Sequence, residues 1–335
     1  MRILITTGLS GNDIGGPLQY APRLEEEFKS LNNQVRIVAY DRVEKMLPPG
    51  LRHIYFFLKI FPSCIWSDKI LLLDTFSVGV PTVFASRILG KKCIVRVGGD
   101  FLWSAYVNRT SGRVTLSAFY QEMPRLNLKE RLILFFTRRL IGSVDYLAFN
   151  TEWQKKIWSN FYKIPENKTS VVRNFLPKKS DGEMPAVKNF LWAGRAIPEK
   201  NIELLEKLGK RIVEKHPDVR LDIVTGEPPW QVLGRVKSCY VAMSVAFTDI
   251  CPNFILEAAA YNKPFIMTNE TGFREIYPTS GIFINPLDEE ESMRAMETML
   301  DEGRYKTFVE ELKKVDLRQT WKDMAEKYLE IWKTI

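Results

Sequence analysis

The sequence predicts an α/β protein of two halves, each a mostly parallel, doubly wound sheet with helices on both faces. Three observations predict it. Short apolar runs alternate with helical stretches along the whole chain, as repeated strand–helix–strand units require. The alternation pauses once, at LPKKSDGEMPAVKN (176–189), where two prolines, a glycine and mixed charges mark a linker. A length of 335 residues favours two domains over one.

The elements follow in order. RILITT (2–7) is a buried strand, GLSGNDIGG a loop, and Pro17 to Leu31 a helix. QVRIVAY, DKILLLDTF, KKCIVRVGG and VDYLAFNT supply further strands of the first half. After the pause come FLWAG, VRLDIVTG, YVAMSVAF, KPFIMTN and GIFINP. Three helices close the chain, the last from Leu317 to Lys333. The expected division is an N-terminal domain over 1–178, a linker over 179–188 and a C-terminal domain over 189–315. A last helix, over 316–335, is expected to pack back toward the N-terminal domain.

Composition removes several classes. With two histidines, His53 and His216, most His-centred triads and HExxH metal sites are excluded. The four cysteines are far apart and form no CxxC pair, so a zinc site is not expected and a reduced, cytoplasmic chain is the simple reading. No apolar run is long enough to span a bilayer, and the N-terminus lacks the pattern of a signal peptide. A net charge of +8 suits an anionic partner: nucleic acid, a phosphorylated small molecule or an anionic membrane.

Open α/β sheets bind ligands beyond the carboxyl ends of their strands, so the loops after the strands are the candidates. GLSGNDIGGPLQ carries Gly15 and Gly16 between a strand and a helix, where backbone N–H groups can approach an anion. Its spacing fits neither GxGxxG nor a Walker A loop. WAGRAIPEKN sets Arg195 at a strand end and Lys200 at a helix start. A planar guanidinium and a flexible ammonium there could converge on a diphosphate, or could be solvated cations. FTDICPNFILEAAAYNKP puts Asp249 just past a strand, with Pro252 and Asn253 at the next helix start. Glu257 lies a turn further on. It is set among Ile255, Leu256 and Ala258, so its carboxylate needs a partner if buried. TNETGFREI brings Thr271 and Gly272 to another strand end. Gly226 ends VRLDIVTG.

These motifs, in this order, resemble the GT4-type group of retaining glycosyltransferases, which have the GT-B architecture of two Rossmann-like domains. The group's pattern is a Gly-Gly loop, G-R-x-x-x-x-K, E-x7-E and T-x-x-x-G. Here it reads Gly15-Gly16, GRAIPEKN, DICPNFILE and TNETG. The resemblance is strongest over 190–290. It implies that Arg195 and Lys200 neutralise the donor diphosphate, and that Glu257 holds the ribose hydroxyls. It places Asp249, where the group usually has Glu, on hydroxyls of the transferred sugar. Gly15 and Gly16 would approach phosphate or acceptor, with Asn253, Thr271, Gly272 and Gly226 completing the donor site. The group is usually metal-independent, and no DxD pair argues otherwise. It often has a His after a strand of the N-terminal domain. Here CIVRV is followed by GGDFLW, and Asp100 is expected either to face the reaction centre or to be a buried helix cap.

The implied activity moves a sugar from a UDP- or GDP-sugar to a glycan or lipid-linked acceptor with retention of configuration, without a cofactor. The alternatives are a non-catalytic partner subunit of the same fold and a nucleotide-sugar 2-epimerase. Nucleic acid is not an expected partner, because no basic-aromatic motif of such a module is present. LRHIYFFLKIFPSCIW (51–66) and LKERLILFFTRRLIG (128–142) mix cations with wide apolar faces. Each reads either as a buried helix with a charged edge or as a segment lying on the inner face of an anionic membrane.

Overall fold

Strand β1 (Arg2–Thr7) opens a parallel sheet: Ile3, Leu4, Ile5, Thr6 and Thr7 are buried without interruption, as strands covered on both faces are. The computed structural model describes residues 1–9 and 16–335. Along the chain follow α1 (Tyr20–Ser30), β2 (Gln34–Ala39), α2 (Arg42–Met46), α3 (Leu51–Trp66), β3 (Lys69–Leu72), α4 (Gly79–Ile88) and β4 (Lys92–Val97). Next come α5 (Phe101–Thr110), α6 (Leu116–Glu122), α7 (Leu128–Ser143), β5 (Tyr146–Phe149), α8 (Glu152–Tyr162) and β6 (Thr169–Val171). Among the described residues these strands form one sheet in the order β2-β1-β3-β4-β5-β6, every pair parallel.

The second sheet holds β7 (Lys188–Ala193), β8 (Val219–Val224), β9 (Val241–Ser244), β10 (Phe265–Thr268) and β11 (Gly281–Ile284). Its order is β11-β10-β9-β7-β8, again parallel throughout. Helices α9 (Ile202–Lys215), α10 (Pro229–Ser238), α11 (Asn253–Ala260), α12 (Glu289–Leu300) and α13 (Glu302–Lys314) connect and cover it. Alternation along the strands divides the core. Leu191, Ala242, Phe265 and Met267 pack with α11, while Phe190, Trp192, Val241 and Ile266 pack with α9 and α12. The fold class is the one the sequence predicts.

The chain separates into two units. Unit 1 comprises Met1–Ala105, Pro124–Phe175 and Gln319–Ile335; unit 2 comprises Tyr106–Met123 and Leu176–Arg318. Helix α14 (Trp321–Thr334) lies in unit 1 and packs on α1. Its stripe of Met324, Ala325, Tyr328, Ile331 and Trp332 is buried with Leu24 and Phe28. Tyr328 also accepts a hydrogen bond from the buried guanidinium of Arg96 (2.9 Å), which donates as well to Val172 O and Asn174 Oδ1.

Two findings differ from the boundaries drawn on the sequence. Tyr106–Met123, placed above within 1–178, belongs to unit 2: Leu116 N donates to Thr248 Oγ1 (2.8 Å) and Ser117 N to Glu270 Oε2 (3.1 Å). Residues 179–188 are not a free linker. Ser180 N and Gly182 N donate to Ala260 O and Tyr261 O. The ammonium of Lys179, its pKa pushed down to about 8 by burial, donates to Ala259 O and Leu312 O, both 2.8 Å. The reason is local: Ala259 and Leu312 lie near the ends of α11 and α13, where helix carbonyls lack intrahelical donors. No described helix is long and apolar enough to cross a membrane.

Candidate functional site

In unit 2 the chain runs from β7 outward to β8, then crosses back over β7 to β9 and continues to β10 and β11. The direction of winding therefore reverses between β7 and β9. Ligands of doubly wound sheets bind at that reversal, beyond the carboxyl ends of the strands. The loops after β7 and β9 carry Arg195, Lys200 and Asp249, and helix α11 after them carries Glu257.

Strand β7 ends at Ala193. Gly194 follows, its N–H donating to Val224 O, and a Cβ there would press on the Trp192 ring at 3.2 Å. Arg195 is exposed, and among the described residues its guanidinium has no ion-pair or hydrogen-bond partner. A short 3-10 turn, Pro198–Lys200, leads to Asn201 in the left-handed region (φ 54°). Asn tolerates that conformation better than most residues. The buried amide of Asn201 donates to Val245 O and Pro286 O, which fixes the β7 loop against the ends of β9 and β11. The turn thus delivers Lys200 toward β9.

Lys200 Nζ lies 2.9 Å from Asp249 Oδ2. The same oxygen accepts from Ser244 Oγ at 3.2 Å, and Asp249 N donates to Glu270 O. The two side chains keep 23% and 14% of their surface, so the pair is sheltered yet open to a ligand. A pair so placed is held more firmly than a fully solvated one, whose net worth is small.

Helix α11 begins at Asn253 after Pro252, which offers no side-chain cap. The first N–H groups of the helix are therefore left to other acceptors. Asn253 stands in its first turn. Glu257 is half-buried one turn in, and among the described residues its carboxylate has no hydrogen-bond or ion-pair partner. Burial alone pushes its pKa up to about 7. A carboxylate left without a donor in that setting is costly to ionise.

Thr271 and Gly272 serve the frame of the site. Thr271 Oγ1 donates to Ile250 O and accepts from Phe273 N, and Gly272 N donates to Ile250 O (3.0 Å). The loop after β10 is thereby tied to the loop after β9. Gly226, beyond β8, adopts φ +72° with open space around it. Gly15 lies outside the described residues, and Gly16 begins a 3-10 turn, Gly16–Gln19.

Asp100 is in unit 1. It is buried and accepts from Trp103 N (2.8 Å) and Trp158 Nε1 (2.9 Å), so it caps the start of α5 and pins an indole of α8. Of the two expectations for Asp100, the structure displays the helix cap.

Three residues of the site escaped the sequence reading. Ser244 and Thr248 flank the approach to Asp249, and Glu270 binds Ser117 N by its side chain and Asp249 N by its carbonyl. Glu270 had a signal, since it sits inside TNETG. Thr248 had none, because its partner Leu116 is 132 residues away.

No protein-family model matches the chain, and no curated protein matches it by sequence. Solved structures do. Anabaena HepE in complex with UDP and glucose aligns with a TM-score of 0.68 at 12% identity, covering 99% of both chains. Sucrose-phosphate synthase from Thermosynechococcus elongatus aligns with a TM-score of 0.71 at 11% identity, over 100% of this chain and 99% of the other. The apo lipopolysaccharide outer core galactosyltransferase WaaB gives 0.64 at 14%, over 100% and 99%. The fold is GT-B. At these identities the likeness establishes the two Rossmann-like domains of that architecture, and the chemistry rests on the residues of the site.

Proposed function

We propose that the protein is a retaining, GT4-type glycosyltransferase that moves a sugar from a nucleotide-diphosphate donor to the hydroxyl of a glycan or lipid-linked acceptor, without a metal. One observation carries this: a guanidinium without a partner among the described residues, a sheltered Lys–Asp pair and a half-buried carboxylate sit on the loops and helix around one winding reversal. Arg195 and Lys200 receive the diphosphate. Oxygens of the diphosphate compete with Asp249 for Lys200, and Asp249 turns its free acceptor capacity to hydroxyls of the sugar. Ribose hydroxyls donate to Glu257 and supply the partner that this carboxylate lacks among the described residues.

The step breaks the bond between the anomeric carbon and the diphosphate oxygen, and forms a bond from the acceptor oxygen to that carbon on the same face. The departing phosphate oxygen takes the acceptor's proton. Charge on the leaving group is met by cations already in place, the arrangement that lowers such barriers most. Arg195 and Lys200 supply the positive charge that a divalent ion would otherwise supply, so EDTA is expected to leave turnover unchanged.

Calorimetry with UDP and GDP tests the donor site, with UDP first because HepE was solved with it. Binding of one nucleotide that weakens in Arg195→Ala supports the reading; binding of neither overturns it. Incubation of the bound nucleotide's sugar then separates the alternatives. Conversion without an acceptor would make the protein an epimerase. Binding without transfer to any acceptor would make it a partner subunit.

A further inference from the structure

Helix α3 is apolar on both its inner and its outer side. Phe56, Ile60 and Cys64 are fully buried. Leu51, Ile54, Tyr55, Leu58, Pro62 and Ile65 are all exposed, Leu58 by 64% and Ile54 by 60%. At the α-helical repeat these six fall within an arc of about 100°, and none is charged. A helix on the outside of a domain ordinarily presents polar residues there.

The pattern continues on the neighbouring helices. Helix α4 packs against both α3 and α7, and its exposed residues are Phe84, Arg87 and Ile88. Helix α7 exposes Leu128, Leu132 and Phe135 together with Arg131, Arg138 and Arg139. Arg139 lies over the Phe135 ring at 5.2 Å. All three helices belong to unit 1. They lie against the sheet face opposite α1 and α14, where Ser86 of α4 meets Cys93 of β4.

Charge identifies the occupant. Together α3, α4 and α7 contain seven Lys or Arg residues and one acidic residue. That acid, Glu130, is buried in the capping box of α7. One of the cations, Lys59, is already paired with Asp41 and Glu44. A second copy of this chain on the same face would set cations against cations, because a two-fold interface meets itself. A surface combining negative charge with an apolar layer beneath it meets both halves of the pattern.

We infer that this face of unit 1, formed by α3, α4 and α7, docks on the surface of an anionic lipid bilayer. Leu51, Ile54, Leu58 and Ile65 enter the acyl boundary, and Arg131, Arg138 and Arg139 meet the headgroups. The inference does not depend on the transfer reading and can fail while that reading stands.

The test is sedimentation of the full chain with vesicles of phosphatidylcholine, alone or with about one-third phosphatidylglycerol. Binding to the anionic vesicles is expected to exceed binding to the neutral ones by at least about tenfold, and to fall as salt rises. Leu58→Glu and the double variant Arg138→Glu, Arg139→Glu should each lower it by at least about tenfold. Unfolding temperature and UDP affinity should stay unchanged, since these side chains are exposed. Equal binding to both vesicles, no binding, or full retention in Leu58→Glu overturns the inference. So does a dimer of the wild type that Leu58→Glu dissociates without any vesicle binding.

Discussion

The two sheets reverse their winding in the same way and furnish the reversal with opposite chemistry. In unit 2 the loops beyond β7 and β9 present Arg195 and Lys200, with Asp249 held by Lys200. In unit 1 the corresponding place lies beyond β1 and β3, and its described residues offer Gly8 and Asp74. The Asp74 carboxylate accepts from the N–H groups of Phe76 (2.8 Å), Val78 and Gly79. Burial pushes its pKa up, against the pull of those same N–H groups. One carboxylate spends its acceptor capacity on its own backbone; in unit 2 the Arg195 guanidinium has no partner among the described residues. The shared topology supplies a crevice, and the loop residues decide whether it receives an anion.

The comparison is most directly broken at the cations. Arg195→Ala and Lys200→Ala should each raise the barrier to transfer by about 2–4 kcal/mol, the cost of removing one preorganised stabilising contact. Steady-state turnover with the protein still folded measures this. Unchanged turnover in Arg195→Ala would make that residue an ordinary solvated cation. Lys200→Ala also leaves Asp249 sheltered without its partner, so the double variant with Asp249→Ala should lose less than the sum of the two single losses.

A smaller effect is expected from Glu257, read through pH. Its carboxyl is held near pKa 7 by burial, above its value in an unfolded chain. The ionised form thus costs stability as pH rises through that interval, and the empty site favours the proton. A ligand that donates hydroxyl hydrogens favours the ionised form and expels the proton. Affinity for UDP-glucose, whose diphosphate has no proton to lose in this range, should therefore rise roughly tenfold from about pH 6 to about pH 8. Glu257→Gln should flatten that profile. A flat profile in the wild type would remove Glu257 from the ribose.

The halves were legible in the sequence for a physical reason. Central strands buried on both faces read as apolar runs, and the edge strands β2 and β8 as apolar residues broken by charge, so ten of the eleven described strands stand out. The exception, Thr169–Val171, is three residues long and half-buried in part. The loops after β7, β9 and β10 were legible because strand ends can be read from the same runs. Partnership across the chain was not. Nothing local tells that Asp100 meets an indole 58 positions on, that Lys179 closes two helix ends, or that Tyr106–Met123 joins unit 2. The helices of 51–66 and 128–142 were visible as apolar and basic, but which apolar residues face outward depended on the fold.

The smallest expected effect on nucleotide binding falls on Gly8. A Cβ there would stand 2.6 Å from Asp74 Oδ2. The carboxylate is fastened by the N–H groups of Phe76, Val78 and Gly79 and has little freedom to turn away. Gly8→Ala should displace it and leave at least one of those groups poorly bonded, at a cost of about 1–3 kcal/mol. For a unit of this size that is a fall in unfolding temperature of about 2–4 °C per kcal/mol. Nucleotide affinity should be little changed, since Arg195, Lys200 and Glu257, to which the proposal assigns the nucleotide, belong to the other sheet. A variant of wild-type stability that binds nucleotide but no longer transfers sugar would reverse the contrast: the crevice of unit 1 would then hold the acceptor, and Asp74 would be a group that meets substrate rather than one that shapes a loop.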